Sequence, residues 1–381
     1  MSFVGSIPKL SDDEIENIRN IINPTEEETN GSRVDFDCKY GKACYTTDYK
    51  KFIRLSFYYC CIAEGTQAIL KILDGTITIC SNAINSERQE QIFLPDSLLY
   101  IGDNAIDCKS LKEILLPQSL RYIGNSAFWG CGSLRKIIIP KNVGHIGTAA
   151  FSNTGIKEIV CNSPAFSICN YALYDDSGNR MIKYFGSENK VIVPPNVNDI
   201  TGAFAGCKDI EHITLPQGLT SIGERTFMNC SRLRTIVIQE GVQEIGQYAF
   251  MQCHCLEYII IPEGVKSIRE FCFDYCQNLR YIVLPSTIEQ IGSKDPDYSD
   301  FGIFDEECIS LKYIFIPKGT KEKYAAADVW KDFSAIMEYD PTGISSILSD
   351  SKAKVAKHLV NGRLIIEKDG KRYDACGAEM K

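Results

Sequence analysis

Apolar and polar residues alternate along most of this chain in a block that recurs. Over Leu111 to Pro140, LKEILLPQSLRYIGNSAFWGCGSLRKIIIP, the block opens as L-x-x-I-x-L-P. It runs on as x-x-L-x-x-I-G-x-x-A-F-x-x-C-x-x-L and closes on I-x-I-P. The period-two run predicts a strand with one face in a core, and the apolar spacing that follows suits one short helical turn. Aligned on the residue after each strand, copies fall at Pro95, Pro117, Pro140, Asn162, Pro194, Pro216, Gln239, Pro262, Pro285 and Pro317. Successive spacings are 22, 23, 22, 32, 22, 23, 23, 23 and 32 residues, so the two long ones are the same period carrying an insertion. A fixed period in the low twenties predicts a solenoid whose coils bury a face only against their neighbours. The fold class expected is α/β and β-rich, a coil of short parallel strands alternating with short helical turns.

Two inward columns follow from the strand alternation. One runs Ile92, Ile114, Ile137, Ile159, Val191, Ile213, Ile236, Ile259, Ile282 and Ile314; the other runs from Leu94 and Leu116 to Leu284 and Ile316. Proline directly after a strand ends it without removing a ladder bond inside it. Phe128, Phe151, Phe204, Phe227, Phe250 and Phe273 recur at one position and predict an aromatic column in the core, and the glycines of the Ile-Gly pairs read as turn glycines.

The ends do not fit the repeat. Ser11 to Glu14 has capping-box spacing, and Ile15, Ile18 and Ile22 recur at helical intervals until Pro24, so a helix is expected over 12–22. FIRLSFYYC and Gly75 to Ile79 read as strands, and residues 1–88 as a whole are expected to cap the first coil. The repeats occupy 89–317, with insertions at 170–186, a hairpin turning at Asp176 to Asn179, and at 293–303, a polar loop. Residues 318–340, with Tyr324, Trp330, Phe333 and Ile336 at helix-like intervals, are expected to cap the last coil. Residues 341–381 read as a linker followed by a hairpin around Asp369-Gly370.

Charge and cysteine change this picture in detail. The net charge of −8 argues against nucleic acid or an anionic membrane as the main partner, since both need a dense basic face. No apolar run is long enough for a transmembrane helix, and the first thirty residues lack a basic stretch followed by an apolar core. Of 17 cysteines, Cys108, Cys131, Cys207, Cys230, Cys253, Cys276 and Cys308 share one repeat position. Residues stacked one coil apart lie about 4.8 Å from each other, wider than the Cβ separation a disulfide prefers, so a column of small buried thiols is expected.

The repeat resembles the BspA-like, bacterial surface-antigen type of leucine-rich repeat. LPQSLRYIGNSAFWGCGSLRKIIIP, LPQGLTSIGERTFMNCSRLRTIVI and IPEGVKSIREFCFDYCQNLRYIVLP all carry its pattern over roughly residues 90–317. ALYDDSGNRMIKY is similar to a hairpin placed before a repeat in such proteins, KGTKEKYAAADVWKDFSAIMEYD to their C-terminal cap, and VNGRLIIEKDGKRYDACGAEM to a tail of extracytoplasmic bacterial proteins. The resemblance implies a leucine-rich-repeat solenoid, a curved right-handed coil with capped ends, on a secreted or cell-surface protein used for adhesion and protein binding. Departures are Ile106 where Phe is usual, Thr154 in place of the column cysteine, Gln239 in place of proline, and no visible secretion signal.

Catalytic chemistry has little to draw on. The four histidines, His145, His212, His254 and His358, are scattered, and no nucleophile elbow, P-loop, dinucleotide fingerprint or HExxH occurs. Cys253-His254-Cys255 does not converge as zinc ligands must, and Asp295, Asp297 and Asp300 lack EF-hand spacing, so no metal, no cofactor and no enzyme activity is expected. The outward strand face is the candidate binding surface. One column ends Val237, Ile260, Val283, Phe315; its neighbour turns from charged residues to Tyr258, Tyr281 and Tyr313, and aromatic and aliphatic side chains of this kind are enriched at binding hot spots. These seven residues are the expected site for a host or microbial protein. The alternative is a carbohydrate-binding or structural surface protein that makes contact through its insertions, where Tyr174, Tyr184 and Tyr298 lie.

Overall fold

The computed structural model describes residues 10–23, 33–38, 41–46, 51–57, 68–87, 89–292, 302–304, 307–325, 336–339, 355–360, 363–368, 371–373 and 379–380. The repeat winds into a β-solenoid of about eleven turns, mostly parallel strands with little helix. Each coil is closed by hydrogen bonds to the coils before and after it, at the spacing the period dictates. Ile92 lies beside Ile114, Ile137 beside Ile159, Ile213 between Val191 and Ile236, and Ile282 between Ile259 and Ile314. All ten residues of that column are buried, as the alternation requires.

A second ladder was not foreseen. Thr78–Ile79, Tyr100–Ile101, Tyr122–Ile123 and His145–Ile146 pair in parallel, and so do Ser221–Ile222, Glu244–Ile245, Ser267–Ile268 and Gln290–Ile291. The Ile-Gly segments are therefore strand rather than turn, and their glycines serve close approach. A Cβ on Gly124 would sit 2.6 Å from the carbonyl carbon of Gly102 in the preceding coil, and one on Gly147 would sit 2.4 Å from the amide nitrogen of Asn125. The left-handed backbone positions come later, flanking the aromatic residue. Ser126, Ala149, Arg225, Tyr248 and Phe271 carry positive φ two residues before it, and Gly130, Asn153, Gly206, Asn229, Gln252 and Tyr275 carry it two residues after. These reversals stop each short turn, such as Trp129 N–H to Ser126 O, from propagating into a helix.

Phe128, Phe151, Phe204, Phe227, Phe250 and Phe273 are fully buried and stack in two rows, Phe128 on Phe151 at 5.7 Å and Phe204 through Phe273 at 5.4–5.5 Å, with Phe304 extending the second row at 5.5 Å. The column cysteines are thiols and form no disulfides. From Cys131 on, they donate to the carbonyl at the aromatic position one coil earlier: Cys230 to Phe204 at 3.2 Å, Cys253 to Phe227 at 3.1 Å, Cys276 to Phe250 at 3.2 Å, Cys131 to Ile106 at 3.3 Å. Thr154, without a thiol, turns its hydroxyl to the Phe151 carbonyl of its own coil.

The first insertion does more than loop out. Strands Phe166–Cys169, Ala172–Asp175 and Met181–Tyr184 form an antiparallel sheet, adding one strand to the expected hairpin through a tight turn at Asn170 and Tyr171, both left-handed. This sheet stands between two halves of the core. Leu173 and Ile182 pack with the N-terminal coils, Tyr174, Met181 and Tyr184 with the C-terminal ones; Ala172, Leu173 and Tyr174 alternate as a strand should, whereas Met181–Tyr184, whose pairing carries a register shift, does not. Tyr184 takes the aromatic position of the missing turn, its ring 5.5 Å from Phe204 and its carbonyl accepting from the Cys207 thiol at 3.4 Å. Lys183 is fully buried in the same strand and donates from Nζ to Ala205 O at 2.7 Å, while burial lowers its pKa. Tyr174 and Tyr184, expected on an exposed insertion, are thus core residues.

Helix Asp12–Ile22 forms with the capping box intact, Ser11 Oγ accepting from Glu14 N–H at 3.2 Å, and Ile18 and Ile22 pack against Tyr122. Strands Ala68–Lys71 and Thr78–Ile79 already belong to the solenoid ladders, so the coil begins before residue 89; residues 68–88 carry neither the strand-ending proline nor the Ile-Gly pair that mark later copies. At the far end Lys321–Ala325 is helical, but Ile336–Tyr339 is a parallel strand beside Tyr313–Pro317 and not the continuation of a helix. Trp330, Phe333 and the insertion residues 293–301, with Tyr298 and the three aspartates, lie outside the described residues. In the tail Arg363–Lys368 and Lys371–Tyr373 form the expected hairpin, and Val355–Val360 adds a strand where a linker was expected.

Replacing Gly124 by alanine should therefore cost about 1–3 kcal/mol of overpacking in a denaturant melt, because the neighbouring coil cannot recede. Gly218→Ala, where a Cβ meets nothing within 4 Å, should be neutral or slightly stabilising in the same measurement.

Candidate functional site

The outward strand positions separate into three zones. Phe93, Leu115, Ile192 and Val237 are 51%, 64%, 77% and 69% exposed, with Ile138 and Val160 half-buried between them and Ile260 half-buried after Val237. These side chains share one repeat position across several short parallel sheets, and the exposed Thr214 stands between Ile192 and Val237. Single exposed aliphatics need no explanation, but several at one repeat position do.

Beside the stripe runs a charged row whose members pair along the coil axis. Lys136 Nζ lies 2.6 Å from Glu158 Oε1, and His212 Nδ1 3.3 Å from Thr235 Oγ1. Both partners of the ion pair are half-exposed, so it contributes little to stability and serves to set the polarity of this row.

The third zone is the tyrosine end. Tyr258 and Tyr281 stack with centroids 5.2 Å apart and planes 3° from parallel, Tyr281 meets Phe315 edge-on at 6.0 Å, and Tyr313 tilts against Phe315 at 6.1 Å. The structure thus brings the four aromatic candidates into one cluster. It does not leave them all on the surface: Tyr281, Val283 and Phe315 are each only 3% exposed. The strand Ile336–Tyr339, placed beyond Phe315 in register with it, adds a rung where the repeat pattern ended, and Val283 lies between Ile260 and Phe315. Of the seven expected site residues, Val237 is exposed and Tyr258, Ile260 and Tyr313 are half-buried. Phe93, Leu115 and Ile192, which share the row's position in earlier coils, are more exposed than any of the aromatic four.

The remaining reactive groups are engaged in the fold. His145 stacks on Tyr122 at 4.8 Å, His254 Nδ1 lies 3.0 Å from the Tyr275 carbonyl, and His358 is in a tail strand. Among the described residues no cluster of three or more His, Cys, Asp or Glu is placed to hold a metal ion. Burial pushes the Cys131 thiol up to about 12 and raises Cys230, Cys253 and Cys276 well above the usual thiol range, which removes the thiolate needed for nucleophilic attack.

Sequence comparison matches residues 50–180 and 200–327 to the BspA type leucine rich repeat region, in six copies. Among proteins with curated descriptions none matches the chain. Among solved structures, a leucine rich cell surface protein from Faecalibacterium prausnitzii is 20% identical, covers 78% of this chain and 98% of its own length, and superposes with a TM-score of 0.50. A leucine-rich repeat protein from Eubacterium ventriosum is 17% identical over 81% of this chain and 85% of its own, with a TM-score of 0.45. The pneumococcal vaccine antigen PcpA is 17% identical over 75% and 82%, with a TM-score of 0.41.

The thiol environments make a direct prediction. N-ethylmaleimide at pH 8 should label the exposed Cys169 of the native protein, while Cys131, Cys230, Cys253 and Cys276 stay unmodified until the chain is denatured, as read by peptide mass spectrometry.

Proposed function

Because the chain belongs to the BspA-type leucine-rich-repeat family, we propose that it is a non-enzymatic, secreted or cell-surface adhesion module that binds a host or microbial protein on its strand face. The observation that carries this reading is the set of exposed apolar side chains at one repeat position, Phe93, Leu115, Ile192 and Val237, the last two on strands that both pair with the strand of Thr214. A preformed surface of this kind loses little conformational entropy on binding, and its aliphatic side chains gain about 25 cal/mol per Å² of apolar area covered. Tyr258, Ile260 and Tyr313 form the far end of the contact, and the buried Tyr281, Val283 and Phe315 support them.

Placement at the surface belongs to the same proposal: the similar Faecalibacterium protein is described as a cell surface protein, and no described helix of this chain is long and apolar enough to cross a membrane. Helix Asp12–Ile22 packs against Tyr100 and Tyr122 on the second ladder, and strand Ile336–Tyr339 extends the sheet beyond Tyr313–Pro317, so the exposed strand positions of the earlier coils form the contact area.

Exchanging Ile192 and Val237 together for aspartate should lower binding to immobilised extracellular-matrix proteins or to whole cells by about 30-fold, the scale of losing one hot spot of about 2 kcal/mol, with an unchanged thermal melt. Undiminished binding by the double variant would move the contact off this face.

A further inference from the structure

The opposite edge of the coil, where the turns follow the aromatic position, carries a groove of about 390 Å³. It is built from equivalent positions of successive coils. Asn85 and Asp107 are ladder partners in the first two, and Trp129 follows Phe128 as Asp107 follows Ile106. Its chemistry differs from the strand face in every respect.

No aliphatic side chain of the leucine, isoleucine, valine or methionine type lines it. One flat ring, Trp129, lines it together with two carboxylates, Glu87 and Asp107, and the exposed lysines Lys109 and Lys208. Gly130 keeps room for the Asp107 carboxylate, since a Cβ there would come within 2.5 Å of Asp107 Oδ1. Asn153 and Asn229, both left-handed, are joined across the groove by an amide hydrogen bond of 3.0 Å. The indole N–H of Trp129 has no acceptor among the described residues.

The ring is held in place from behind. The Arg225 guanidinium lies 5.6 Å from the Trp129 centroid and 5.2 Å from that of Tyr248, and Tyr248 stacks on Phe271 at 5.1 Å with planes 7° apart. Arg225, Tyr248 and Phe271 occupy the left-handed position that Asn82, Asn104, Ser126 and Gly202 fill in other coils. A bulky residue there costs on the order of 1 kcal/mol, which the stacked row offsets.

A peptide side chain would find no apolar pocket in this groove, and a polyphosphate would meet two carboxylates. A sugar ring fits both halves of the lining: its C–H face covers an indole, and each hydroxyl both donates and accepts, as amides and carboxylates require. We propose that this groove binds a mono- or disaccharide, with Trp129 stacked on one pyranose ring and Asp107, Glu87 and the Asn153–Asn229 pair holding its hydroxyls. The site is separate from the strand face and stands or falls independently of it.

The test is a glycan array probed with the full chain, followed by titration of the intrinsic fluorescence with the methyl glycosides of the sugars found. The chain has two tryptophans, so a Trp330→Phe background reports Trp129 alone. Expected are saturable binding, a change in Trp129 emission, and at least a tenfold loss of affinity in Trp129→Ala and in Asp107→Asn, with Trp129→Phe retaining most of it. Asn85→Ala, at an exposed rim position, should weaken binding even if the tryptophan variant does not fold. Absence of any glycan signal overturns the proposal. So does a signal that survives Trp129→Ala and Asp107→Asn, or one abolished by the Ile192/Val237 aspartates instead, which would place the sugar on the strand face.

Discussion

The rest of this structure depends on how closely one coil can approach the next. Backbone bonds between parallel strands hold neighbouring coils about 4.8 Å apart, and everything inside a coil must fit within that rise. The Ile-Gly glycines meet this limit by having no side chain where the preceding backbone passes. The phenylalanines meet it by stacking flat, and the cysteines by being small enough to reach a carbonyl one coil away. A thiol is well suited to that place: it fills the space of a small apolar group and still satisfies a carbonyl left over by the turn. Where the motif lacks the thiol, Thr154 bonds within its own coil, and the next coil is the one replaced by the inserted sheet.

That inserted sheet shows how far the constraint can be stretched. The core does not run through the molecule without a break; it is divided, and the dividing strands serve both parts, Leu173 and Ile182 facing one and Tyr174, Met181 and Tyr184 the other. Tyr184 starts the second aromatic row and accepts its first thiol bond, while the turn at Ala149–Asn153 meets Gly202 and Ala205 directly, Ser152 Oγ donating to Gly202 O at 2.8 Å. Lys183 ends up wholly enclosed, with a backbone carbonyl as its partner. A buried amine with so few partners is costly unless neutral, consistent with the downward direction of its pKa.

Because the interior consumes only one side of each strand and one side of each turn, the solenoid leaves two long surfaces whose residues are unconstrained by packing. The strand row is apolar and flanked by paired charges; the turn edge is polar, with aromatic rings set on a strained backbone. Function in such a fold lies in what these rows carry, not in the coil that presents them.

Much of this was legible in the amino-acid sequence. The 22–23-residue period located the strands, the inward columns and the aromatic and thiol positions, and the Ser11–Glu14 box marked the helix that begins at Asp12, since each of these signals is local or recurs in register. The second ladder was missed because two-residue strands have no visible alternation, and the extra strands at Phe166–Cys169 and Ile336–Tyr339 because both lie outside the repeat motif, one pairing within the insertion and the other with the last repeat strand. For the binding face, composition identified the row but not its exposed part: Tyr281, Val283 and Phe315 have the same pattern as Val237, yet they are buried in the folded chain, where Tyr281 is in ring contact with Tyr258 and Phe315. Periodicity alone determined the stacking of the coils. Which side chains reach solvent, and which turns combine into a groove, was decided by the tertiary structure, because exposure is a property of neighbours and the neighbours here are a full coil or more away along the chain.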